Sequence, residues 1–124
     1  MKRFKNERAN KMAATIKHEF KAEATNDTTE ITIYGDIGES WWNESVSAND
    51  VKNALEQVES DTITIRLNSP GGDAFDGIAI YNQLKNHKAK VIVNVEGLAA
   101  SAASIIAMAA DELIMNTGSM MMIH

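Results

Sequence analysis

The sequence predicts an α/β domain of repeated β-α units around a parallel sheet, incomplete at its C-terminus. Three observations predict this. Runs of strand character recur at 30–34, 62–67 and 90–95. Helix-like stretches fill the gaps between them, and strands separated by helices pair in parallel through crossovers. The 124 residues suffice for one hydrophobic core.

Residues 1–28 mix charged residues throughout and read as a charged arm, mobile or weakly helical. The domain is expected over 29–124. Glu30-Ile-Thr-Ile-Tyr34 alternates polar and apolar, the period of a strand, and Gly35-Asp-Ile-Gly38 turns it. Trp41 and Trp42 are adjacent, so they cannot both face one core from a strand, and one is expected exposed or at an interface. Ser47 opens a helix, with Asp50 placed for a capping box. Val51, Ala54, Leu55 and Val58 make its apolar stripe.

Thr62–Leu67 is the second strand, and Asn68-Ser-Pro-Gly-Gly72 is a tight turn in which Gly71 accepts positive φ. A helix over about 73–86 carries Phe75, Ile78, Ala79 and Leu84. Lys90–Val95 is the third strand, broken by Gly97, and an alanine-rich helix runs from about Ser101 to Ala110. Residues 112–115 and 119–123 read as two short strands. The chain stops at His124 directly after that apolar run, which reads as truncation.

Composition excludes several classes. A net charge of −5 disfavours a nucleic-acid partner. Absence of cysteine rules out disulfides and thiolate metal sites. The longest apolar run, 97–110, is short of a membrane span of roughly 20 residues. No His-x-x-x-His pair, calcium-loop spacing or phosphate loop occurs, so no metal or cofactor is expected. His18 and His87 read as solvated, with an imidazolium at His87 suiting a helix C-terminus.

Two small-residue clusters remain, Ser-Pro-Gly-Gly at 69–72 and Gly-Leu-Ala-Ala-Ser-Ala-Ala-Ser at 97–104. Each follows a strand and precedes a helix, where ligand crevices of parallel sheets lie. A serine there sits beside unpaired N–H groups able to hold a developing oxyanion. Taken separately, each cluster reads as structure: a plain turn, and a close-packed helix capped by Ser101. The elbow Gly-x-Ser-x-Gly is absent. Residue chemistry alone stops at an α/β domain with a cluster suited to acyl transfer.

Three ordered motifs go further. Asn68-Ser-Pro-Gly-Gly72, Gly97-Leu-Ala-Ala-Ser101 and Met122-Ile-His124 resemble the loop, nucleophile and base segments of the proteolytic subunit of the Clp protease, in the ClpP/crotonase fold group. The resemblance implies a serine endopeptidase with Ser101 as nucleophile and His124 as general base. It implies an oxyanion hole from the backbone N–H groups of Gly72 and Ala102. Gly72, Asp73, Ala74 and Phe75 would pair with an extended substrate as an added strand. The family usually has methionine and then glycine after the serine, where Ala102 and Ala103 stand here. Its triad aspartate and ring-stacking helix lie beyond the histidine, so this chain is expected to hydrolyse esters very slowly or not at all.

The implied partners are a polypeptide substrate and further copies in a homo-oligomeric ring, with an AAA+ unfoldase or capsid and scaffold proteins beyond them, in the cytoplasm. No nucleic acid or membrane is implied. Tyr34–Gly38 and Pro70–Tyr81 resemble phage or prophage members most, which process capsid or scaffold proteins; a housekeeping Clp subunit is the rival. Other readings are an inactive prophage remnant that only self-assembles, and a crotonase-type acyl-CoA enzyme. Met108, Met115, Met120 and Met121 are expected to lie in an exposed apolar surface.

Overall fold

The computed structural model describes residues 3–40 and 43–123. The expectations for Trp41 and Trp42 lie outside the described residues, as does His124 itself. The elements run α1 (Glu7–Thr15), β1 (Glu19–Thr25), β2 (Thr28–Tyr34), α2 (Ala48–Glu56), β3 (Thr62–Ser69), α3 (Ala74–Asn86), β4 (Lys90–Ala100), α4 (Ala102–Ala107), β5 (Glu112–Met115) and β6 (Met120–Met122). From β2 onward this is the predicted order.

One sheet joins them in the order β1-β2-β3-β4-β5, with β6 also pairing β4. Only the β1–β2 pair is antiparallel; the pairs β2–β3, β3–β4, β4–β5 and β4–β6 are parallel. β3 alternates half-buried and buried residues along its whole length. That alternation marks a sheet with one face packed in the core. Ile31, Ile33, Ile63, Ile65, Leu67, Val91, Val93 and Val95 supply that face, and α2, α3 and α4 cover it. Each fully buried Ile or Leu contributes about 1.5–3 kcal/mol relative to exposure.

The other face is polar at its centre. Arg66 on β3 donates to Glu96 on β4 at 3.0 Å and to the Tyr34 hydroxyl at 3.0 Å, and Tyr34 donates in turn to Glu96. The Arg66 guanidinium sits 5.7 Å from the Tyr34 ring centroid.

Helix caps follow their chemistry. Ser47 and Asp50 form the expected capping box, with bonds of 3.1 and 3.0 Å. Asp73 caps α3 by accepting from the N–H groups of Phe75 and Asp76. The buried face of α3 is Gly77, Ile80 and Leu84. Phe75 and Ile78, two of the apolar residues it carries, are exposed. The helix points Gly77 at α4, so its buried face lies away from them.

Three further expectations are corrected. The segment before Thr29 contains α1 and β1. Ala9, Met12 and Ala13 of α1, and Ile16 just after it, pack with Phe4, Leu98 and Ala100 in a second small cluster, and Arg8 donates to the Gly118 carbonyl. β1 is joined to β2 by a two-residue loop at Asn26-Asp27, the hairpin length that short turn residues favour. β4 does not break at Gly97 but continues to Ala100 through a register shift. His87 is the C-terminal cap of α3, and its Nδ1 lies 3.0 Å from the Ala89 N–H. Of the four methionines expected at an exposed apolar surface, Met108 and Met115 are exposed, while Met120 and Met121 are half-buried against the two clusters. Among the described residues, no helix is long and apolar enough to cross a membrane.

Candidate active site

β4 runs from the core to the C-terminal edge of the sheet, where Ser101 follows it and α4 begins. Ser101 is the residue between strand and helix, with φ 55° and ψ −123°. A non-glycine residue rarely adopts positive φ, and holding it there costs about 1–3 kcal/mol. The Ser101 hydroxyl does not cap α4. Ser104, the neighbouring serine, is 3% exposed, and its hydroxyl donates to the Ser101 carbonyl at 2.6 Å. That leaves Ser101 as the partly exposed hydroxyl of this segment.

The turn after β3 lies against it. Gly71 has φ +99°, and a Cβ placed on it would stand 2.8 Å from the Ser101 Cβ and 2.6 Å from the Ala100 carbonyl oxygen. Only glycine fits there, for lack of space as well as for its φ. Ser69 is fully buried, and its hydroxyl accepts from the Gly71 N–H at 3.0 Å, which shapes the turn.

Ala102 and Gly72 are the two residues whose backbone N–H groups were expected to form an oxyanion hole. Ala102 is the first residue of α4, so its N–H has no partner within the helix. Gly72 sits between two residues bonded to Ile37: Gly71 O accepts from the Ile37 N–H and Asp73 N–H donates to the Ile37 carbonyl, both at 2.9 Å. Gly72 also lines a cavity of 270 Å³ with Arg3, Asp36 and Ser40.

The expected substrate segment divides here. Gly72 has φ +147° and Asp73 is extended, while Ala74 and Phe75 are the first two residues of α3. The Phe75 side chain is 83% exposed. His124 lies outside the described residues. β6 nonetheless carries the chain toward Ser101: the Ser101 N–H donates to the Met122 carbonyl at 2.9 Å, two residues before His124. Asp111 is committed to structure, exchanging hydrogen bonds with Val91 at 2.8 Å. Among the described residues, no group of three or more His, Asp and Glu side chains could hold a metal.

Sequence reasoning missed Ile37, which anchors the glycine turn, and Asn68, whose side chain accepts from the Leu98 N–H at 2.9 Å. The signal for Asn68 was its place directly after the alternating run 62–67.

Residues 22–124 match the Clp protease family. The chain belongs to the Clp protease family. It is 37% identical over 109 residues to an ATP-dependent Clp protease proteolytic subunit 2 from Treponema denticola, covering 77% of this chain and 52% of that protein. The solved structure of ClpP1 from Listeria monocytogenes is 36% identical, with a TM-score of 0.56 over 65% of this chain and 46% of that one. A Na(+)/H(+) antiporter NhaA from Brucella abortus is 34% identical over 77 residues, which cover 59% of this chain and 10% of the antiporter. This Clp-family chain thus spans about half the length of its Clp relatives, and a tenth of the antiporter. An enoyl-CoA hydratase from Shewanella pealeana shares the fold alone, at 12% identity and a TM-score of 0.63 over 91% of this chain and 52% of that one. The mixed α/β fold with its mostly parallel sheet is that of ClpP/crotonase-type structures.

Proposed function

We propose that this Clp-family chain carries the nucleophile and base of a serine-type endopeptidase. The observation that carries the reading is Ser101: a strained, partly exposed serine between β4 and α4, packed against Gly71 and followed by Ala102, the first residue of α4. In this reading Ser101 Oγ attacks the scissile carbonyl and His124 takes its proton. The Gly72 and Ala102 N–H groups receive the developing oxyanion, and one such donor is worth about 2.7–4 kcal/mol. His124 then protonates the leaving amine, and water releases the acyl group from Ser101.

The substrate is a polypeptide, laid along Gly72 and Asp73 with a side chain near Phe75. The working form is a homo-oligomeric ring, independent of ATP or served by an unfoldase. The Tyr34–Gly38 and Pro70–Tyr81 segments favour a phage or prophage type acting on capsid or scaffold proteins.

The test is covalent trapping with a fluorophosphonate, which reports a reactive serine without requiring full turnover. Peptide mass mapping is expected to place the adduct on Ser101. Ser101→Ala should lose it, and His124→Ala should slow it by roughly 10- to 100-fold, the share left to the base when the triad aspartate is absent. An adduct that persists at equal rate in Ser101→Ala overturns the peptidase reading. An acyl-CoA enzyme of the same fold would not depend on that hydroxyl.

A further inference from the structure

We infer that the Asn68 side chain is the positioning residue that sets Ser101 against the glycine turn, an inference that rests on the peptidase reading above. Up to Leu67↔Val95, β3 and β4 pair with a constant offset; the next pair is Ser69↔Ala99. Three residues of β4, Glu96, Gly97 and Leu98, therefore face the single residue Asn68 of β3. A shift of this kind leaves ladder groups without their regular partners. Here Asn68 Oδ1 takes the Leu98 N–H at 2.9 Å. Leu98 is fully buried, so without Asn68 that donor loses its acceptor away from water.

The neighbouring residue makes room for this. A Cβ on Gly97 would stand 2.7 Å from Asn68 Oδ1 and 3.3 Å from its Cγ. Any side chain at 97 displaces the amide. The main chain of Asn68 is held on the other side, where its carbonyl accepts from the Gly35 N–H at 3.0 Å. Asn68 is thus clamped between β2 and β4.

The consequence reaches the site because both chains run directly into it. Three residues after Leu98 comes Ser101, and three after Asn68 comes Gly71. These two ends touch, with 2.8 Å between a Cβ on Gly71 and that of Ser101. β4 also changes partner at the shift: Ile92–Val95 pair with β5, and Leu98–Ala100 pair with β6. A slip at Asn68 would therefore move Ser101 together with β6, the strand that leads to His124.

The experiment uses the whole 124-residue chain under conditions where every variant is folded, and reads three things. These are the fluorophosphonylation rate per folded molecule, the backbone amide shifts of Ser101 and Ala102, and hydrogen exchange at Leu98. In the wild type the Leu98 amide should be protected. Asn68→Ala should expose it, move the Ser101 and Ala102 signals, and slow phosphonylation by roughly 100-fold, the scale of a 1 Å misplacement. Asn68→Asp keeps an oxygen in place and should restore most of the rate.

Gly97→Ala should reproduce the defect with Asn68 present. Adding it to Asn68→Ala should cost little more, because the two act through one contact. A merely structural role would lower stability and leave the site signals and folded-state rate unchanged, and that result overturns the inference. An unprotected Leu98 amide in the wild type overturns it without any variant. If the wild type is not phosphonylated, the peptidase reading fails instead, and the amide shifts decide the role of Asn68 alone.

Discussion

Gly77 of α3 lies directly against Ala102 of α4: a Cβ on Gly77 would stand 2.9 Å from the Ala102 Cβ and 3.0 Å from its carbonyl oxygen. The two helices meet on residues with almost no side chain, and this contact backs the peptide that follows Ser101. Gly77→Ala gains up to about 1 kcal/mol of helix propensity. Overpacking opposes it with about 1–3 kcal/mol. Net destabilisation is expected, growing with side-chain size to Gly77→Leu. Urea unfolding midpoints across Gly, Ala and Leu measure it; a rise in midpoint from Ala to Leu would show that α3 and α4 can separate freely.

The backbone of Ser101 predicts a trade between stability and chemistry. At φ 55° a glycine relieves the strain of a side chain. Ser101→Gly should raise stability by about 1 kcal/mol, the strain relief less the entropic cost of glycine. It should also remove the fluorophosphonate adduct. Ser101→Val, branched at Cβ, should fall below the wild type. If glycine proves less stable than serine in thermal unfolding, the Ser101 conformation is not strained in solution.

Stability at high pH should report Tyr34. Burial, reinforced by the Glu96 carboxylate, pushes its phenol up to about 12. An unfolded tyrosine titrates near 10. Between those values the unfolded chain has released a proton that the folded chain keeps, so stability falls as pH rises. The contribution is complete below about pH 10 and is lost through about pH 12. Urea midpoints at pH 9 and pH 11.5 should drop more for the wild type than for Tyr34→Phe. Equal drops would mean that Tyr34 titrates as it does in the unfolded chain.

Association should depend on β5. All four of its residues are exposed, among them Leu113, Ile114 and Met115 at 39–42%, and Met108 nearby in sequence is 48% exposed. An apolar strand at a sheet edge with unpaired backbone groups recruits another chain. Sedimentation at high concentration should show species larger than a monomer, shifted toward monomer by Leu113→Glu with Met115→Glu. A wild type that stays monomeric removes this surface as an interface.

The element order from β2 to β6 was legible because each element carries its own period and its own stop. Thr62–Leu67 alternates, Ser47 with Asp50 caps, and Gly71 turns, all from contacts within a few residues. The same local signals were present in α1 and β1. Ala9, Met12, Ala13 and Ile16 have helical spacing, and Glu19–Thr25 alternates before Asn26-Asp27. They were hidden by charges that face water from an edge strand and from a helix covering only a small cluster.

By itself, the sequence determined the β-α order and the serine and glycine clusters, since periodicity and turn chemistry act over short range. Tertiary structure alone decided how those clusters meet. Ile37 had to bond the backbone on both sides of Gly72, Asn68 had to bridge to Leu98, and Gly71 had to touch Ser101. Each of these contacts joins residues about 30 or more positions apart, and a pairing shift between β3 and β4 sets their spacing. Such a shift comes from how two strands pack in the sheet, so no single stretch of sequence encodes it.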